Sequence, residues 1–183
     1  MKRPDYLPPE CERVVLAQET IARRVRELGA EITERHAGSS VRLVTVLKGG
    51  LFFLADLCRS IELDVTLDFL AVSPYVHGKG GAVRVTKDLD DDVEDQAVIL
   101  VDDVVDTGLT VNYVLSSLRA RGPASLEICT LLDKPHRRIA EVPIAYTGFS
   151  MSDRFLVGYG LDLNGRYRNL EFVAELRPEV VLG

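Results

Sequence analysis

The stretch VILVDDVVDTGLTVNYVL, residues 98–115, decides how this chain is read. With Ala97 before it, the run to Val101 has the length and β-branched content of a strand covered on both faces, as in parallel sheets. Asp102 and Asp103 close the run, Asp106 follows, and Thr107-Gly108-Leu109-Thr110 leads into a pattern that predicts a helix over 109–121. Carboxylates at the mouth of a buried strand are costly to desolvate, so the pattern asks for a compensating partner. A metal, a sugar, a phospho-acceptor role and plain solvent exposure all fit the residue types.

The loop itself narrows these choices. Gly108 permits a tight turn and close approach of a ligand to the backbone. N–H groups of the first helical turn, with the Thr107 and Thr110 hydroxyls, suit a phosphate, although Thr110 fits equally well as an N-cap. The aspartates would repel that phosphate. They suit vicinal sugar hydroxyls, or Mg²⁺ and its waters. A phosphate cradle flanked by acceptors describes a ribose 5-phosphate site. A solvated acidic loop remains a competing reading, as does a receiver domain. A receiver, however, separates its acidic pair from its acceptor aspartate, whereas here all three acids share one loop.

Outward from this stretch, strands and helices alternate. Val14, Ala17, Ile21, Val25, Leu28 and Ile32 recur at steps of three and four, predicting one amphipathic helix that ends near His36-Ala37-Gly38. VRLVTVL (41–47) reads as a strand closed by Lys48-Gly49-Gly50. LFFLADLCRSI reads as a helix and VTLDFLAVS (65–73) as the next strand. The glycine-rich stretch 74–82 reads as a loop, VRVTKDL as a short strand and DDDVED as an acidic surface turn. SLEICTLLD (125–133) completes a β-α-β unit with 97–121, and IAYTGFS, FLVGYGL and EFVAEL read as short strands. The pattern predicts a single α/β domain with a mostly parallel sheet, whose ligands lie beyond the carboxyl ends of the strands.

The 183 residues suffice for one full core. A net charge of −6 argues against a nucleic-acid-coating protein. Cys11, Cys58 and Cys129 stand far apart, form no C-x-x-C pair and read as free thiols rather than zinc ligands. No apolar run is long enough to span a bilayer and the N-terminal residues carry no secretory signal, so no membrane partner is expected and the expected location is the cytoplasm. His36 and His136 read as surface residues and His77 as a loop residue, none of them catalytic.

VILVDDVVDTGLT closely resembles the 5-phosphoribosyl-1-pyrophosphate (PRPP) signature of type I phosphoribosyltransferases. VTVLKGGLFFLADL (44–57), LDFLAVSPY (67–75), KDLDDDVEDQAVILVDDVVDTGLT (87–110), CTLLDKPHRR (129–138) and FLVGYGLDLNGRYRNL (155–170) extend the resemblance to the hypoxanthine-guanine branch. It implies a type I phosphoribosyltransferase fold over 1–183, a central mostly parallel sheet flanked by helices. A small hood would come mainly from about 150–183 with part of the N-terminus. It also implies Mg²⁺-dependent transfer of 5-phosphoribosyl from PRPP to N9 of a 6-oxopurine, and assembly as a homodimer or homotetramer.

Carried over by position, Asp102 and Asp103 would face the ribose hydroxyls, directly or through Mg²⁺. Asp106 would be the general base at purine N7. Residues 106–110 (Asp106, Thr107, Gly108, Leu109, Thr110) would cradle the 5-phosphate. Lys48 and Gly49 would form the pyrophosphate loop, with a non-proline cis peptide at Leu47–Lys48, and Arg168 would contact the pyrophosphate. Lys134 would donate to the purine O6, Phe155 would stack on the base, and Leu156 would meet its exocyclic edge through the backbone. Asp162 would lie beside the purine and help to hold the metal. Ser73 and Tyr75 would begin a catalytic lid, although Pro74 separates them where many relatives have Ser-Tyr adjacent. Asp102 stands where many relatives have glutamate. A xanthine-preferring enzyme and a PRPP-sensing regulator on the same fold are the alternatives.

Overall fold

A computed structural model describes residues 6–74 and 83–181. Tyr75, His77 and the rest of the stretch 75–82 lie outside the described residues, so most of the expected lid falls outside them; Ser73 is a partly buried residue near the end of strand 65–74.

The elements in chain order are β1 (Cys11–Leu16), α1 (Gln18–Arg35), β2 (Val41–Leu47), α2 (Leu51–Cys58), β3 (Val65–Pro74), β4 (Val83–Lys87), β5 (Ala97–Val105), α3 (Leu109–Arg119), β6 (Ser125–Asp133), a 3₁₀ turn (Pro135–Arg137), β7 (Tyr146–Ser150), β8 (Leu156–Val157), β9 (Val173–Leu176) and α4 (Pro178–Val181). Six strands form one sheet in the order β4-β3-β2-β5-β6-β7. All neighbours run parallel except the β3–β4 pair. From β2 the chain first moves outward to β3, then returns to place β5 on the other side of β2. The crevice beyond the ends of β2 and β5 is therefore the topological switch point, where open α/β sheets bind ligands.

Alternation along the strands supplies both faces of the core. Leu43, Ile99, Val101, Cys129 and Leu131 pack with Ile21, Val25, Leu28 and Ile32 of α1 and with Phe53, Leu54 and Leu57 of α2. Val44, Val98, Leu100 and Ile128 face the other way and pack with Val111, Val114, Leu115 and Leu118 of α3. This period-two split, with both faces covered, explains why the stretch 97–101 of β5 reads as a continuous apolar run. A three-stranded antiparallel sheet, β1-β9-β8, joins the N-terminal strand to the C-terminal segment around Cys11, Val157, Ala174 and Leu176.

Two local expectations need correction and a third gains a detail. Val14, assigned by periodicity to the first helix, lies in β1, 45% exposed and paired with Ala174 of β9. A short apolar run is ambiguous between strand and helix, and pairing with a distant strand decided it. His36, expected at the surface, has an 11% exposed side chain. Its Nε2 lies 3.1 Å from Glu127 Oε2, which also accepts a 2.8 Å hydrogen bond from the Tyr146 hydroxyl. The cap of α1 meets β6 and β7 there, a contact no local pattern announces. The acidic turn is exposed at Asp90, Asp91 and Asp92 as expected, but it is also anchored: Asp90 and Asp91 backbone N–H groups donate to the buried Asp68 carboxylate. The three cysteines are free thiols, Cys11 and Cys129 buried, and burial pushes the Cys129 thiol up.

Candidate active site

Most of the expected site residues converge on the switch point in two adjoining cavities. One, of about 220 Å³, is lined by Leu47, Gly49, Asp102, Asp103, Thr110, Asp162 and Arg168 among others. The second, of about 270 Å³, is lined by Asp103, Asp106, Lys134, Phe155, Leu156 and Asp162 together with Val104, Leu132, Arg137 and Leu161. Asp103 and Asp162 belong to both and stand between them.

The first cavity is built by close approach. The Leu47–Lys48 peptide is cis. A Cβ placed on Gly49 would lie 2.1 Å from Asp103 Oδ2, so a side chain here would displace the Asp103 carboxylate from the turn after β2. Gly160 packs against the same turn: its own Cβ position lies 2.1 Å from Gly49 O. Arg168 donates to Gly160 O at 2.6 Å and pairs with Asp162 at 2.6 Å. Asp162 also accepts a 2.7 Å hydrogen bond from the Gly165 backbone, so both its oxygens are engaged. The hydroxyl of Tyr159, next to this loop, donates to Asp56 of α2 at 2.6 Å.

Burial holds the carboxyl of Asp102 well above the usual carboxylate range, with the charge of Asp103 reinforcing it. Asp103 is also raised by burial, against the opposing pull of Arg168 and of backbone donors. Two adjacent desolvated acids repel one another, which is the electrostatic setting a cation relieves.

In the second cavity, Lys134 is 7% exposed rather than the exposed strand-end lysine that its sequence position alone would suggest. Its backbone N–H donates to Val105 O at 3.0 Å, and its Nζ donates to Arg154 O at 2.6 Å. Burial lowers its pKa below that of an ordinary lysine, while Asp106 and Asp153 pull the other way. Phe155 is 44% exposed, and its backbone carbonyl accepts the Leu176 N–H at 2.9 Å, tying it to β9. Leu156 is buried and pairs in register with Glu175. The cavity thus offers a flat apolar ring, a buried cation and a carboxylate: what a planar heterocycle with an acceptor edge requires.

Asp106 sits at the rim where β5 gives way to the α3 turn. Its Oδ1 is buried and accepts no hydrogen bond among the described residues, although Arg137 Nε lies 3.1 Å away. Gly108 takes a left-handed conformation (φ 81°) as the N-cap of α3, without a side-chain cap. Thr110 is therefore inside the helix and is not its cap. Thr107 O accepts the Ile139 and Ala140 N–H groups, and its hydroxyl accepts the Leu109 N–H at 3.4 Å. Leu109 and Thr110 are exposed at the helix start.

Lys48, Thr107, Gly108, Leu109 and Ser73 line neither cavity. Lys48 is exposed beside the first, and 107–109 form the rim next to Asp106. Sequence reading missed Arg137, Gly160 and Tyr159. Arg137 had one available signal: it follows Lys134 by three residues across Pro135, the spacing that a single 3₁₀ turn brings onto one side.

A model of the phosphoribosyl transferase domain matches residues 14–164. The chain is 44% identical to the hypoxanthine-guanine phosphoribosyltransferase of Mycobacterium avium, covering 96% of this chain and 91% of that one. It is 40% identical to the enzyme of the same name from Bacillus subtilis, covering 93% and 96%. Among solved structures, a hypoxanthine phosphoribosyltransferase from Staphylococcus aureus superimposes with a TM-score of 0.89 at 39% identity, over 93% of this chain and 94% of that one. The Trypanosoma cruzi hypoxanthine phosphoribosyltransferase in complex with the product IMP gives 0.91 at 34% identity, over 96% and 99%. With a matching fold, an aspartate-rich loop at the switch point and relatives matched almost end to end, the chain belongs to the phosphoribosyltransferase family, in its hypoxanthine-guanine branch.

Proposed function

We propose that this chain transfers the 5-phosphoribosyl group of PRPP to N9 of hypoxanthine or guanine, giving IMP or GMP and pyrophosphate. The observation that carries this reading is the pair of cavities separated by Asp103 and Asp162. One has the ring, cation and carboxylate for an oxopurine; the other has the arginine and close-packed glycine backbone for a pyrophosphate; a ribose fits between. The β1-β9-β8 sheet serves as the hood that presents Phe155 and Leu156 to the base.

In this reading the purine stacks on Phe155, and Lys134 donates to O6. Adenine presents a donor at that position and sets it against the half-buried ammonium, which a desolvated site penalises strongly. Asp106 takes or holds the proton at N7 while N9 attacks C1. Residues 106–110 hold the 5-phosphate on the start of α3, where the first-turn backbone N–H groups favour an anion. Gly49, Lys48 and Arg168 hold the pyrophosphate, and the guanidinium fork can engage two oxygens. Ser73 and Tyr75 would belong to the lid that excludes water.

The donor set fits Mg²⁺. Among the described residues no group of three or more His, Cys, Asp or Glu side chains could hold a metal alone. Asp102 and Asp103 instead form a desolvated acid pair, with Asp162 nearby. This is the one-or-two-carboxylate set that Mg²⁺ uses when substrate phosphates and waters complete its shell. Bound there, the ion would neutralise charge on the departing pyrophosphate. Among the described residues no helix is long and apolar enough to cross a membrane. Assembly as a homodimer or homotetramer is part of the same reading, and light scattering in solution tests it.

A pyrophosphate-release assay with PRPP and Mg²⁺, offering hypoxanthine, guanine, xanthine and adenine separately, tests the assignment. Turnover with hypoxanthine or guanine and none with adenine is expected. Turnover mainly with xanthine would keep the mechanism and change the base. PRPP binding with no turnover on any base would replace the enzyme with a PRPP sensor.

The pH profile gives a second check. The Lys134 ammonium must be charged to donate to O6, and burial lowers its pKa. The alkaline fall of kcat/KM for the purine is therefore expected at lower pH than an ordinary lysine would give. In Lys134→Arg, whose guanidinium does not deprotonate in this range, that component of the fall should disappear. An unchanged alkaline limb would remove Lys134 from the recognition step.

A further inference from the structure

Among the described residues Arg137 is the one guanidinium lining the base cavity, and its contacts run in two directions. Its Nε lies 3.1 Å from Asp106 Oδ1, on the loop after β5, and its Nη1 donates to Asp153 Oδ1 at 3.2 Å, on the segment between β7 and Phe155. The turn that carries it is fixed at both ends. The Lys134 N–H donates to Val105 O, and the Arg137 N–H donates to Lys134 O at 3.1 Å. The next residue, Arg138, points elsewhere, to Asp133 and Val105 O. The Arg137–Asp106 contact is attractive by charge yet too poorly aligned to count as a hydrogen bond, so Oδ1 remains able to receive a proton.

We propose that Arg137 is a positioning residue for the phosphoribosyl transfer: it spans Asp106 and Asp153, aims the Asp106 carboxylate into the base cavity and keeps its buried oxygen open for the purine proton. The inference rests on the reading of Asp106 as the base. The same span couples the catalytic loop to the segment that presents Phe155, so the base and the stacking ring are set relative to each other through one side chain. Both ion pairs are about half exposed, with side chains 45% exposed at Arg137, 35% at Asp106 and 62% at Asp153. Exposed pairs add little to folding stability, so the effect of removing Arg137 belongs in the kinetics and not in the melting curve.

The test is a double-mutant cycle on the Mg²⁺-supplied enzyme with PRPP and hypoxanthine, reading kcat and both KM values, with thermal melts alongside. Arg137→Gln is expected to lower kcat by roughly 10-fold, below the about 10²–10⁴-fold of losing the base outright. The KM for PRPP and the melting temperature should hold. Arg137→Lys, which keeps the charge, should recover part of the rate. In the Asp106→Asn background, Arg137→Gln should have no further effect, because a residue acting through another is not additive with it. Wild-type kcat in Arg137→Gln with Asp106→Asn inactive would overturn the proposal alone. The same factor lost in both backgrounds would show a role independent of Asp106 and overturn it as well. Wild-type kcat in Asp106→Asn would instead sink the base assignment, and the positioning role with it.

Discussion

Asp106→Asn is expected to reduce kcat by about 10²–10⁴-fold, the usual contribution of a positioned base, while PRPP binding stays within about 3-fold, well under 1 kcal/mol. The two side chains have nearly the same shape, so the loop between β5 and α3 has no reason to move. The phosphate contacts proposed for this loop come from backbone N–H groups and the threonine hydroxyls, which the substitution leaves in place. What changes is the atom that faces the cavity. Asp106 Oδ1 is buried and without an aligned donor among the described residues. An amide can neither take a proton there nor balance the Lys134 and Arg137 charges, which line the same cavity. Steady-state kinetics with hypoxanthine, together with calorimetric titration of PRPP, separates the two quantities. Retention of more than about a tenth of kcat would be too small a loss for a base and would assign Asp106 to binding alone.

Gly160→Ala should abolish transfer and lower the melting temperature by about 6–12 °C, corresponding to roughly 3 kcal/mol in a domain of this size. Two costs add at this position. Its φ of 101° lies where side chains are disfavoured, at about 1–3 kcal/mol. The new Cβ would also lie 2.1 Å from the Gly49 carbonyl oxygen, a contact between two backbones that no rotamer change relieves. Relief requires separating the turn after β2 from the segment that holds Arg168, which opens the proposed pyrophosphate cavity. Gly165→Ala is the matched comparison. Its φ is 79°, but nothing lies within 4 Å of the Cβ position, so only the conformational cost, about 1–2 kcal/mol, is expected. Differential scanning calorimetry and the KM for PRPP on both variants check this. Equal losses would mean that close approach to Gly49 is not what Gly160 provides.

These expectations divide between what periodicity and motif make legible and what packing adds. The strand 97–105, the acid-rich loop, the start of α3 and the α/β class follow from local order. Apolar alternation, the tight turn at Gly108 and an aspartate cluster each carry their physics within a few residues. The resemblance to known phosphoribosyltransferases then pointed to Lys134, Phe155, Asp162 and Arg168, and the fold brings all four to the two cavities. Local order misjudged β1, whose residues become a strand only because β9, about 160 positions later, pairs with them. It misjudged His36, partly covered by Glu127 and Tyr146 from other elements. It was silent on Arg137.

The common cause is desolvation and close approach between segments distant in the chain. Lys134 is buried because Arg154 and the strand ends close over it, and Gly49 meets Asp103 because β5 inserts beside β2. A residue's propensity is written in its neighbours along the chain, so the strands, helices and acid-rich turn could be read directly. The burial of a charge, the aim of a carboxylate and the fit of one glycine against another depend on neighbours brought in from elsewhere, and only the folded sheet supplies those.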